Sequence, residues 1–92
     1  MEEYKIIYHP LVETRDIPKL GSASGVIKNA IEKKLVLRPE VYGRRLRGTL
    51  KGYWKLRVVD WRVVYEIHER EVAILAIIHR SDNYKTVTKR LD

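Results

Sequence analysis

Residues 53–79 read Tyr53-Trp54-Lys55-Leu56-Arg57-Val58, then Val59-Asp60, then Trp61-Arg62-Val63-Val64-Tyr65-Glu66-Ile67-His68, then Glu69-Arg70, then Glu71-Val72-Ala73-Ile74-Leu75-Ala76-Ile77-Ile78-His79. The first two runs are rich in β-branched and aromatic residues with only two residues between them, so they pair as a tight hairpin. Glu69-Arg70 turns the chain into a third strand, Glu71 to His79. With Val59-Asp60 as the loop, Val58 pairs with Trp61, Leu56 with Val63, and Arg57 directly with Arg62. The side-chain period of two then assigns faces. Leu56, Val58, Trp61, Val63, Tyr65 and Ile67 make the core face, while Lys55, Arg57 and Arg62 project from the other. Carrying the register through Glu69-Arg70 pairs Ile67 with Val72 and Arg62 with Ile77, which sets His79 on the cationic face just beyond Arg62. The expected sheet is apolar behind and cationic in front.

Working outward, Tyr4 to Tyr8 is apolar and aromatic enough for a further short strand, and Pro10 suits a first helical turn. A helix is expected over Leu11 to Leu20, shortened or kinked near Asp16 because Pro18 removes a backbone donor. Gly21-Ser22-Ala23-Ser24-Gly25 reads as a turn. Val26, Ile27, Ala30, Ile31 and Leu35 then recur at spacings of three and four, the stripe of a second helix packed on something flat, with Pro39 ending it. The two helices form an antiparallel pair, and no repeat or linker divides the chain, so residues 1–92 read as one domain.

Like charges facing each other across a sheet are unfavourable by about a few tenths of a kcal/mol or more, so the cationic trio needs a reason. One is a bound phosphate; the other is neutralisation by Glu66, on the same face, or by a helix acid. Charge along the chain bears on the choice. Of 92 residues with a net charge of +7, the stretch from Lys33 to Arg62 holds ten basic side chains against two acidic ones, a net of +8, and the remainder holds nine against ten, or −1. Uncompensated cations at this density belong at the surface, where they attract polyanions; a solvated basic surface is the plainer reading.

The 45% hydrophobic and 34% charged composition excludes a disordered chain, and 92 residues allow one core and shallow sites. With no cysteine and three scattered histidines, His9, His68 and His79, neither disulfides nor a metal cluster are expected. No signal-peptide pattern and no run near the roughly 20 apolar residues of a membrane span occur, so a cytoplasmic, membrane-free protein is expected. His9 and His68 read as structural. Tyr4, Tyr8, Trp54 and Trp61 read as core or interface aromatics, and Tyr42 and Tyr53 as packing or base-stacking residues.

The strings Leu46-Arg47-Gly48, Gly52 to Ile67 and Ile78-His79-Arg80-Ser81-Asp82-Asn83-Tyr84, in this order behind a strand and a helical pair, resemble the RelE/ParE superfamily of type II toxins. The resemblance covers essentially the whole chain. It implies an α+β fold, a two-helix pair packed on a small, mainly antiparallel four-stranded sheet with a short C-terminal helix or tail. It also implies a cognate antitoxin as partner and no cofactor or metal. RelE-like members cut messenger RNA in the ribosomal A site, and ParE-like members poison DNA gyrase.

Attack of a ribose 2′-hydroxyl on its own phosphate needs a base, an acid for the departing 5′-oxygen and positive charge around phosphorus. By position, the resemblance implies Lys55 and Arg57 as the strand cations, Arg62 as the phosphate-binding arginine and Tyr84 as the C-terminal tyrosine. His79 lies where several members place a histidine. His79 or Lys55 would be the general base, the other the acid or orienter, with Arg57 and Arg62 stabilising the transition state. Tyr84 would stack on a base or orient the 2′-hydroxyl, and Arg44, Arg45, Arg47, Lys51 and Arg80 would bind RNA backbone. Two positions depart from the family pattern. Val59 stands where a turn glycine is common, and Ile78 where some members carry a further arginine. Three functions are carried forward: a ribosome-dependent endoribonuclease, a gyrase inhibitor, and a non-catalytic nucleic-acid-binding module.

Overall fold

The structure, a computed structural model, describes residues 3–91. Strands Lys5–Tyr8 (β1), Arg44–Arg45 (β2), Trp54–Val58 (β3), Trp61–His68 (β4) and Glu71–His79 (β5) form one mixed sheet in the order β1-β5-β4-β3-β2. β1 runs parallel to β5 and every other pairing is antiparallel. The α+β class is as expected, but the sheet has five strands. The fifth is the two-residue β2, in which Arg44 pairs with Lys55 and Arg45 with Trp54, too short for any periodic signal.

The β3-β4 hairpin matches the expected register, with Leu56 opposite Val63, Arg57 opposite Arg62 and Val58 opposite Trp61. Its two-residue loop places Val59 at φ 57°, a left-handed conformation in which a β-branched side chain is strained. The β4-β5 register departs from expectation. Ile67 pairs with Val72 as expected, but Val64 pairs with Ala76 while Tyr65 pairs with Ile74, so Leu75 is an extra residue, a β-bulge. Beyond the bulge, Arg62 pairs with Ile78 in place of Ile77, and His79 pairs with Trp61.

Helical turns run from Pro10 to Leu35, broken at Gly21, whose φ of 55° interrupts the spiral. The first part is a π-helical turn over Val12–Asp16 followed by Ile17–Leu20 (α1). The wider turn lies just ahead of Pro18, where the missing donor was expected to disturb the helix and where the ring also crowds the preceding turn. The second part is Ser24–Ala30 (α2) and a π-helical turn over Ile31–Leu35. Pro39 does not simply stop the helix: after a two-residue turn it opens the one-turn helix Pro39–Tyr42 (α3). Lys85–Leu91 (α4) follows β5.

Both helical parts bury their stripes against one face of the sheet. Val12, Leu20, Ile27, Ile31 and Leu35 share a core with Leu56, Val58, Val63, Tyr65, Val72, Ile74 and Ile77. The opposite face is not purely cationic, as the sequence had suggested. Its β4-β5 half carries a second core in which Val64, Ala76 and Ile78 pack with Leu50 and with Val87 of α4. Tyr65 is fully buried and donates a hydrogen bond to the Pro39 carbonyl at 2.7 Å, tying sheet to helices. Its hydroxyl lies where a Cβ on residue 43 would project, which is why Gly43 follows α3.

β5 is longer than β1, and the uncovered part of its edge is closed by side chains. Asp16 accepts the Ile77 amide at 2.8 Å, and Arg90 donates to the Leu75 carbonyl at 3.0 Å. The two also form a bidentate ion pair, both contacts 2.7 Å, with each side chain 6% exposed. Buried acid and base thus stand in for a neighbouring strand, each satisfying the other's charge.

Candidate functional site

Alternation and register place four cations side by side on the sheet face opposite α1 and α2. Arg44 on β2 lies across from Lys55 on β3, Arg57 follows Lys55 two residues on, and Arg57 lies across from Arg62 on β4. Among the described residues the ion pairs are Arg90 with Asp16 and Arg80 with Asp60, so no described carboxylate lies within ion-pairing distance of the four. Glu66 shares their face and does not neutralise them. Arg57 is exposed and Lys55 and Arg62 are half-buried, so the charges line a shallow surface rather than a cavity.

Tyr84 closes one side of this surface. The Arg62 guanidinium carbon lies 5.7 Å from its ring centroid, a cation-π contact. Arg62 Nε and the Tyr84 hydroxyl are both buried without a hydrogen-bond partner. Asn83 and Tyr84 have φ of 56° and 64°, two successive left-handed residues without glycine. Strain and unsatisfied polar atoms of this kind concentrate where a ligand completes the structure. At the other side a cleft of about 140 Å³ is lined by Lys34, Tyr42, Arg44, Lys55 and Arg57, with Lys34 Nζ 5.7 Å from the Tyr42 ring centroid. Lys34 and Tyr42 come from the end of the second helical part and from α3, and nothing in their spacing links them to β3.

The remaining expected residues divide. His79 is not in the cluster. The Leu75 bulge reverses the alternation beyond it, so His79 stands opposite Trp61 on the helix-packed face, its ring edge-on to the indole at 5.2 Å. Arg45 stacks its guanidinium 5.0 Å from the Trp54 ring centroid, on the same side as that core-packed indole. Arg47 and Lys51 are exposed in the loop between β2 and β3. Arg80 sits at the β3-β4 turn, its amide donating to the Asp60 carbonyl at 2.9 Å and its side chain 3.7 Å from the Asp60 carboxylate. Ile78, in a position some members fill with arginine, is buried beside Arg62. Among the described residues no group of three or more His, Cys, Asp or Glu is arranged to hold a metal ion.

Comparison with known proteins agrees with this architecture. Residues 6–84 match the family model of the ParE toxin of type II toxin-antitoxin systems. A chain of the toxin-antitoxin complex RelBE2 from Mycobacterium tuberculosis superposes with a TM-score of 0.79 at 27% identity, covering 89% of this chain and 97% of that one. A conserved protein of Helicobacter pylori, HP0894, superposes at 0.64 and 20% identity over 85% and 96% of the two chains. The YoeB-YefM complex from Staphylococcus aureus does so at 0.55 and 17% identity over 83% and 95%. The last two likenesses concern the fold alone. No curated protein matches the sequence.

Proposed function

The chain belongs to the ParE toxin family of type II toxin-antitoxin systems, within the RelE/ParE superfamily, and from that premise we propose that it is a ribosome-dependent endoribonuclease. One observation carries the reading: Arg44, Lys55, Arg57 and Arg62 adjoin on one surface with no described carboxylate within ion-pairing distance, beside a strained tyrosine whose hydroxyl is unpartnered. A phosphodiester in flight between two oxygens needs that charge density.

In the reaction, Lys55 as a cation orients the ribose 2′-hydroxyl at the cut, and water takes its proton. The 2′-oxygen bonds to phosphorus, the bond to the 5′-oxygen breaks, and water protonates that oxygen, leaving a 2′,3′-cyclic phosphate and a 5′-hydroxyl. Arg57 and Arg62 hold the non-bridging oxygens, Arg62 through its planar fork. Tyr84 fixes the Arg62 guanidinium against its ring. His79, across the sheet, takes no part. Arg47, Lys51 and Arg80 contact RNA backbone at the rim. The cognate antitoxin would cover the basic surface, its association weakening with salt.

The gyrase-inhibitor reading keeps two observations in its favour, the family model matched and the apolar Ile78 beside Arg62. Expression without antitoxin separates the two. Arrest of translation with messages cut at the A site and supercoiling unchanged supports the nuclease; gyrase trapped on cleaved DNA with messages intact supports the inhibitor.

A further inference from the structure

Beside the Asp16-Arg90 pair the molecule leaves a cavity of about 640 Å³ between residues 9–19, the end of β5 and α4. It lies apart from the cationic surface, and the function proposed above makes no use of it. Its wall carries His9, Arg15, Lys19, Trp61, His79 and Lys89. Two carboxylates also border it, and both are engaged. Asp16 is held by Arg90 and the Ile77 amide, and Asp82 accepts from the Thr86 amide and hydroxyl at 3.1 and 2.8 Å. Arg15, Lys19 and Lys89 are exposed, and no described carboxylate pairs with them.

The two histidines are prepared as donors. His9 Nδ1 accepts the Leu11 amide at 3.0 Å, and His79 Nδ1 accepts the Ser81 amide at 3.3 Å and lies 2.8 Å from the Ser81 hydroxyl, which can turn its hydrogen toward it. With Nδ1 accepting a backbone amide, each histidine keeps its Nε2 N–H for an occupant. The π-helical turn over Val12–Asp16 forms part of the same wall, and such turns gather at functional sites. Three cations and two N–H donors call for an anion. The volume far exceeds what a bare phosphate fills and falls in the roughly 300–1,000 Å³ range of small-molecule sites, and Trp61 supplies an aromatic surface.

We propose that this cavity binds a nucleoside phosphate, the phosphate on the histidine, arginine and lysine donors and the base against Trp61. The ligand is either a free nucleotide or one unit of an RNA strand, which share this chemistry. The test is a titration followed by the NMR signals of the histidine rings and the Trp61 indole, using adenosine monophosphate, adenosine, inorganic phosphate and a 5′-phosphorylated trinucleotide as probes. His68, exposed at the far end of β4, is the internal control.

Saturable shifts of His9, His79 and Trp61 with adenosine monophosphate, weaker ones with inorganic phosphate and none at His68, are expected. Arg15→Ala combined with Lys19→Ala should weaken binding by about tenfold or more with an unchanged circular dichroism spectrum, both residues being exposed. Tighter binding of the trinucleotide than of the mononucleotide identifies a strand site, and equal binding a free nucleotide. Absence of saturation, equal shifts at His68, or adenosine binding as well as its phosphate would overturn the proposal. So would an acidic peptide saturating the site while the nucleotide does not. Cleavage is not read, and Lys55→Met should leave the titration unchanged, so this proposal and the nuclease reading fail separately.

Discussion

Arg57 stands directly opposite Arg62 across the β3-β4 hairpin, and the Arg62 guanidinium rests on the ring of Tyr84. Two facing guanidinium groups without a described carboxylate spend stability for charge density, and that exchange is measurable. Arg57 is exposed, so Arg57→Ala should leave the thermal midpoint unchanged or raise it slightly, by about a few tenths of a kcal/mol in stability. Cleavage of ribosome-bound message should fall by roughly a hundredfold, the usual loss when one preorganised stabiliser is removed.

Val59 is strained and 75% exposed, so its side chain contributes little packing. A left-handed non-glycine residue costs about 1–2 kcal/mol, of which glycine returns a part as unfolded-state entropy. Val59→Gly should therefore stabilise the protein by about 0.5–1 kcal/mol, read from the urea midpoint, and leave cleavage unchanged.

The hairpin was legible because Lys55 to Val58 and Trp61 to Val63 alternate polar and apolar residues on either side of a two-residue loop, and alternation fixes faces. β5 was legible as a strand but not in register. Ala73 to Ile78 is apolar throughout, buried by helices on one side and α4 on the other, so a one-residue bulge at Leu75 leaves no trace in the pattern. That single residue carried His79 from the expected cluster to the opposite face. Lys55, Arg57 and Arg62 came together as their spacing required. Lys34 and Tyr42 share a cleft with Arg44, Lys55 and Arg57 only through tertiary folding, and Asp16 meets Arg90 across 74 residues, which no local signal encodes.

Asp16 holds the uncovered edge of β5 together with Arg90. Asp16→Ala leaves a buried guanidinium and the Ile77 amide without their acceptor, and removing one partner of such a pair costs about 3–5 kcal/mol. Equilibrium denaturation should show a loss of that order, with α4 the first segment to lose amide protection in hydrogen exchange.

The Tyr65 hydroxyl is pushed well above the usual phenol range, by burial first and by Glu40 second, and Tyr8 is raised too, by burial, then by Glu32 and Glu13. A raised folded-state pKa gives stability that is complete below the unfolded value of about 10 and is lost as pH rises through the folded value. Tyr65→Phe forfeits the bond to Pro39, about 1–2 kcal/mol at pH 8, and this part of the pH dependence with it. The stability gap between parent and variant should narrow from pH 9 to pH 11.

The central claim, that the four-cation surface cuts ribosome-bound message, is tested most directly by primer extension on a defined mRNA in purified ribosomes, with the parent, Arg62→Lys and Arg62→Ala. Cuts at the A-site codon are expected with the parent. Both variants should fold and cleave roughly a hundredfold more slowly, Lys almost as impaired as Ala because it keeps the charge and loses the fork. An intact message with the folded parent, or parental cleavage by a folded Arg62→Ala, would contradict the account.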